Sequence, residues 1–282
     1  WRSEQKYRFE TKVLNTPSSS SHKQITVTSA LRTGEFIALA NRTAGLFDDL
    51  TSNETDGVKQ THLIMQSLDK SLRSVGASLQ DSIKLESYYF GTSRKEWAPL
   101  AKARADYFKE PGPPATAIPY NDILPYGSKT KVGALAMREL RNTYDKYIPR
   151  EDSWPPRVWD WQLNLPWRQA QKLRDMVWLG GQVPAEPFSN TGKRMFPGEL
   201  LPQTRFTMSY VEDLLRPFNC KTSDIKLLVC YFQKSDDENI ISQMLELLRN
   251  CCGGVLPPIT LIPVPHMQTP DSTVELWGVV QS

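Results

Sequence analysis

Two tandem α+β domains are what this 282-residue sequence predicts, on three internal matches that recur in the same order at nearly constant spacing. Ile83 to Phe90 lines up with Ile225 to Phe232, identical at five of eight positions, at an offset of 142. Pro113 to Pro119 lines up with Pro257 to Pro263, identical at five of seven, at an offset of 144. Upstream, Ala30 to Asn41 parallels Ala170 to Gly181 in pattern, at an offset of 140. Self-similarity of this kind marks a duplicated unit, and the length suits two domains of about 100–150 residues each. The expected division is 1–145 and 146–282.

Each copy reads in the same order. An apolar strand opens it, Phe36 to Leu39 or Met176 to Leu179, after an extended segment. A helix follows: Ile64, Leu68, Leu72 and Val75 recur at helical spacing in the first copy, and Phe206, Tyr210 and Leu214 in the second. The strands around 83–90 and 225–232 come next, then helices near Trp97–Phe108 and Asn239–Leu248. A Pro-Pro segment leads to the last strands, Lys129–Met137 and Thr273–Val280. Strands and helices in this order predict a mixed sheet with two helices on one face in each copy. The stretch from Asn142 to Pro166, rich in Trp and Pro, reads as a linker plus the first strand of copy two.

Composition narrows the function classes. With 39% hydrophobic and 23% charged residues the chain is globular, and each half can bury a core. A net charge of +3 without basic runs argues against a nucleic-acid footprint. No apolar stretch reaches the roughly 18 residues of a membrane span. Four cysteines, all in the second half, match no zinc spacing, and the adjacent Cys251-Cys252 reads as structural; a reducing cytoplasm is the expectation. His22, His62 and His266 are too scattered for a metal site, so none is expected.

The run Ser29-Ala30-Leu31-Arg32-Thr33-Gly34-Glu35-Phe36 resembles the first strands of the YjgF/YER057c/UK114 (Rid) family. So do Gly76-Ala77-Ser78-Leu79 with Ile83-Lys84, and Pro114-Ala115-Thr116. In the second copy Pro166-Trp167-Arg168-Gln169-Ala170 and Leu179-Gly180-Gly181-Gln182-Val183-Pro184 are closer still. The resemblance covers about 23–137 and 160–282. It implies a chorismate-mutase-like α+β domain in each copy and a homo-oligomer, trimeric or pseudo-trimeric, with clefts between units. It also implies a small-molecule substrate: many members hydrolyse imines or enamines and release ammonia, without cofactor or metal. Related folds include chorismate-hydrolysing enzymes.

Deaminating members carry an Arg after a Pro-Ala pair and a Glu on the last strand. By position the Arg falls on Thr116 and Thr260, and the Glu on Lys131 and Glu275. Copy one lacks both groups, and copy two keeps only the carboxylate. The resemblance therefore implies a substrate other than a standard 2-imino acid, or a carboxylate held by another base. Arg168, beside the cleft residue Trp167, is the nearest base in sequence.

Strand alternation puts Thr273, Glu275, Trp277 and Val279 on one face and Val274, Leu276 and Val280 on the other. The apolar face belongs against the helices, so Glu275 should look toward the inter-domain side. There it is the candidate general acid/base; the competing reading is a solvated strand Glu, or one paired with Lys131. Gly180 and Gly181 would let a ligand approach the backbone closely, and Thr260 completes the expected binding set. Lys84 and Lys226 read as solvated strand ends. Two rival functions stand beside the deaminase-like hydrolase: a non-catalytic oligomerising or ligand-binding scaffold, and a chorismate-type ring hydrolase, whose basic groups the sequence does not locate.

Overall fold

The computed structural model describes residues 8–15, 24–44, 54–125, 127–140 and 147–282. The division expected at 145/146 lies outside the described residues. The first unit comprises β1 (Arg8–Asn15), β2 (Gln24–Thr33), β3 (Phe36–Leu39), α1 (Gly57–Ser74), β4 (Ser82–Tyr89), α2 (Arg94–Ala105), β5 (Ala115–Pro119) and β6 (Thr130–Met137). The second repeats it as β7 (Glu151–Ser153), β8 (Ala170–Leu173), β9 (Met176–Leu179), α3 (Leu200–Leu215), β10 (Ile225–Gln233), α4 (Ile240–Cys251), β11 (Ile259–Val264) and β12 (Val274–Gln281). The sheets run β1-β2-β3-β6-β4-β5 and β7-β8-β9-β12-β10-β11, strand for strand the same. In each, the crossover pair (β4 with β5, β10 with β11) is parallel and the other pairs are antiparallel.

Local signals set the helices. Asp56 accepts from the Val58 and Lys59 amides at the start of α1, and Ser93 with Glu96 closes a capping box on α2. The α1 stripe Ile64, Leu68 and Leu72 is fully buried against the first sheet. Met208, Val211, Leu214, Leu215, Met244 and Leu248 do the same on the second.

The opposite faces of the two sheets pack on each other. Ile83, Tyr88, Ile118 and Met137 of the first meet Leu173, Trp178, Val229, Tyr231, Trp277 and Val279 of the second in one apolar layer. The Tyr88 and Tyr231 hydroxyls lie 2.7 Å apart in this layer, and Phe36 stacks on Trp178 at 6.3 Å. Strand β12 alternates as its sequence dictates: Val274, Leu276 and Val280 join the helix-side core, while Trp277 and Val279 face the other unit.

One register is not the one the sequence match suggests. In β4, Tyr88 pairs with Lys131, and in β10, Tyr231 pairs with Glu275. Tyr88 and Tyr231 are therefore structural equivalents, at an offset of 143 rather than 142. Both strands carry a bulge near their start, between Ser82 and Lys84 and between Ile225 and Leu227. A slip of one residue exchanges the two faces of a strand. Lys84 thus corresponds to Leu227, not Lys226. Lys226 is exposed, as expected for a strand end, but Lys84 is 1% exposed and is not a solvated end.

The segment between the units is more than a linker. Trp159 packs in the core of the second unit, whereas Leu165 and Trp167 are built into the core of the first. Trp167 sets its edge on Phe108 at a 5.3 Å centroid distance. Trp167→Ala should therefore lower stability by about 3–5 kcal/mol, the usual cost of removing a buried large aromatic, read as an earlier denaturation midpoint.

Candidate active site

Main chain meets main chain at the seam between the units. The Gly181 amide donates to the Ala115 carbonyl at 2.9 Å, and the Gly112 amide to the Pro166 carbonyl at 2.7 Å. The β5 edge of the first unit is thereby covered by the second. A Cβ on Gly180 would sit 3.1 Å from the Arg168 carbonyl and 3.5 Å from that of Ala115. The Gly-Gly pair thus lets two backbones close up at the seam.

A cavity of about 190 Å³ opens there. Its walls come from both units: Trp97, Arg104 and Thr116 from the first, Gly181, Arg194 and Glu275 from the second, with Trp159 and Trp167 of the connecting segment between them. Glu275 is 8% exposed, which overturns the solvated reading. Burial pushes its carboxyl up to about 7, against the pull of Lys84, Arg194 and the amide of Ala117, which donates to it. Lys131, the partner considered for Glu275, occupies the equivalent position in the first sheet and pairs across from Tyr88.

The carboxylate is held in place by its surroundings. Gln203 of α3 donates to the carbonyls of Met195, Phe196 and Asp271 and accepts from the Thr273 amide and hydroxyl. One buried amide so ties the Arg194 loop to the start of β12. Gln182 donates to Gln169, and Gln169 to the Trp159 carbonyl, fixing the aromatic wall.

Two buried arginines stand at this region. Arg104 (3% exposed) and Arg194 (8% exposed) line the cavity. Among the described residues, Nη1 of Arg104 and Nε of Arg194 have no partner, nor do the indole N–H groups of Trp97 and Trp159. A buried donor left unpaired costs about 1–3 kcal/mol, so this cluster is an expensive feature of the seam. Burial lowers the pKa of both guanidiniums, Arg104 to about 10, which leaves Arg104 cationic at neutral pH.

Of the expected site residues, Glu275, Trp167 and Gly181 line the cavity, and Gly180 lies beside it in the seam. Arg168 does not reach it: its guanidinium pairs with Asp152 at 3.1 Å and with Glu110 at 3.7 Å. Thr260 is exposed on β11, at the sheet edge; its counterpart Thr116 is the one at the cavity. The reason is the pseudo-symmetry. A cleft needs the crossover strand of one unit against the last strand of the other, so copy two's carboxylate faces copy one's threonine. The expectation of a cleft walled by copy two's own Thr260 is corrected accordingly. His266 is not among the lining residues.

Arg104 and Arg194 carry no expectation from the sequence, and Lys84 stands there only as a solvated strand end, which its burial contradicts. Arg104 was visible in principle: with Trp97 and Leu100 it continues the buried stripe of α2, and a charge on such a stripe needs a reason. Arg194 sits in a loop without periodicity and gave no signal.

The chain matches no protein-family model, and no curated protein matches its sequence. Among solved structures, a chorismatase superposes with a TM-score of 0.63 at 15% identity, over 89% of this chain and 76% of that one. The YjgF gene product of E. coli gives 0.39 at 18% identity, over 46% of this chain and 98% of its own. A protein from Thermotoga maritima described as a putative endoribonuclease gives 0.40 at 14%, over 47% of this chain and 97% of its own. The fold is that of a tandem protein of two Rid-like α+β units, in the arrangement found in chorismatase. No helix among the described residues is long and apolar enough to cross a membrane, and no group of metal-binding side chains occurs among them.

Proposed function

We propose that the protein is a hydrolase or lyase for a small carboxylate-bearing molecule, with Glu275 as general acid/base in the seam cavity. One observation carries this reading: a buried carboxyl with its pKa near neutrality shares a cavity with two arginines that each keep one unpartnered nitrogen, while Arg194 Nη1 donates to the Gly192 carbonyl. Strongly perturbed acids in a cleft are where acid–base chemistry is found.

Arg104 and Arg194 take the role for which Arg168 was considered, the base that holds the substrate carboxylate. Protonated Glu275 gives its proton to the substrate's nitrogen or oxygen, and the Ala117 amide steadies the carboxylate left behind. For an imine, water adds across the C=N bond, ammonia leaves, a carbonyl remains, and Glu275 is reprotonated from water. The indoles of Trp97 and Trp159 and the ring of Trp167 keep bulk water out. This route asks for no cofactor.

A chorismate-type reaction is the second reading. It is favoured by two separate arginines, which suit a dicarboxylate, and by the likeness in fold to chorismatase over 89% of the chain. The test is to offer the purified protein imines with and without a carboxylate, and chorismate, following ammonia and pyruvate release. Turnover should require a carboxylate on the substrate. Arg104→Met and Arg194→Met should each weaken substrate capture by about 10–150-fold, the equivalent of a charge-assisted hydrogen bond of about 1.5–3 kcal/mol. No turnover of any of these compounds leaves the scaffold reading in its place, and turnover indifferent to both arginines removes them from substrate capture.

A further inference from the structure

Lys84 is a buried cation that the mechanism above does not use. It stands on β4 of the first unit, 1% exposed, with its ammonium directed across the seam. Nζ donates to Thr116 Oγ1 at 2.6 Å and to the Leu179 carbonyl of the second unit at 3.0 Å. It also lies 4.4 Å from the ring centroid of Trp277, two residues along β12 from Glu275 on the same face.

Thr116 continues the line toward the acid. A Cβ placed on Gly181 would lie 2.0 Å from Glu275 Oε1 and 3.0 Å from Thr116 Oγ1, so these two oxygens are no further apart than those distances combined. Because Thr116 Oγ1 accepts from Lys84, its own hydrogen is free to point at the acid or at a ligand beside it.

We propose that Lys84 is a positioning residue for Glu275: with Thr116 it forms a couple across the seam that sets whether the acid holds a proton. This deepens the hydrolase reading and rests on it only for the purpose the proton serves. The charges facing the couple are few. Glu275 meets Lys84 from β4, Arg194 from its loop and the Ala117 amide from β5; Lys84 meets Glu86 on its own strand and Glu275 on β12. Burial drives Lys84 down to about 7 and Glu275 up to about 7, each countered by the other's charge, so the two should titrate as a pair. When Glu275 gives its proton to the substrate, Lys84 can take one up from solvent and meet the new negative charge.

The sign of the test follows. A nearby cation favours the ionised carboxyl, so removing it must raise the acid's pKa, by about 1–3 units for a close charge. The protonated-carboxyl infrared band, assigned with Glu275→Gln, should titrate near neutral pH in the unmodified protein. In Lys84→Met its midpoint should move up by at least about one unit. Thr116→Val should shift it less, since the cation stays. An unmoved midpoint in folded Lys84→Met overturns the proposal. If that variant does not fold, ¹⁵N-lysine NMR on the unmodified protein decides: the Lys84 amine must titrate together with the carboxyl, and midpoints several units apart overturn it. Both readouts are independent of turnover. A coupled titration without turnover removes the hydrolase reading alone, and turnover lost in Glu275→Gln without coupling removes the Lys84 role alone.

Discussion

Glu275→Gln should reduce turnover by about 10²–10⁴-fold, the range over which a positioned acid–base group acts, while the protein stays folded. Gln keeps the volume of the side chain and loses only the transferable proton. On the proposed reading the pH profile of the unmodified protein should show the acid directly: activity that depends on protonated Glu275 should be lost as pH rises through about 7. The same substitution has a stability signature of opposite sense. The folded-state pKa of Glu275 lies above its ordinary 4.5. Its contribution to stability is therefore fully present below about 4.5 and lost as pH rises to about 7. The Gln variant lacks that loss, so between pH 7 and 8 it should melt at or above the temperature of the unmodified protein. Retained turnover in the variant would exclude Glu275 as the proton donor.

Gly181→Ala is the second large effect, and the smallest chemical change that produces one. The backbone accepts an alanine, since Gly181 is not among the glycines with positive φ. The space does not: the new methyl would lie 2.0 Å from Glu275 Oε1, far inside van der Waals contact. The carboxylate must swing away, because Thr116 closes the other side at 3.0 Å. A misplacement of about 1 Å costs on the order of 10²-fold in rate, so kcat should fall by about that factor with circular dichroism unchanged. The equivalent change in the first unit, at Asn41, has no such meaning, for that position already bears a side chain.

The two effects explain which parts of the molecule were legible in its sequence. The duplicated order of strands and helices was readable because hydrophobic periodicity is local, and β12 turned the face that alternation assigned to it. The orientation of Glu275 followed from that alternation alone. The Lys84 assignment failed for a geometric reason: the pairing registers set β4 against β10 at an offset of 143, one position away from the sequence match, and identity counts do not register strand pairing. The partners of Glu275 were hidden for a different reason. They belong to the other copy, and nothing in one unit's sequence states which edge of its twin it will meet. Arg168 stands beside Trp167 in sequence yet pairs with Asp152 and Glu110, whereas Arg104, 171 positions from Glu275, shares its cavity.

A pocket assembled from both halves also changes what each half is free to become. Covering β5 uses up the only crossover edge that the acid of the second unit can face, while β11 keeps Thr260 in solvent. The reciprocal arrangement, Lys131 opposite Thr260, is never closed within one molecule. Drift at Lys131 and Thr260 therefore leaves the seam cavity intact, whereas change at Thr116 or Glu275 strikes it from opposite sides. Inheritance would thus preserve the two repeats as complementary parts rather than as interchangeable ones.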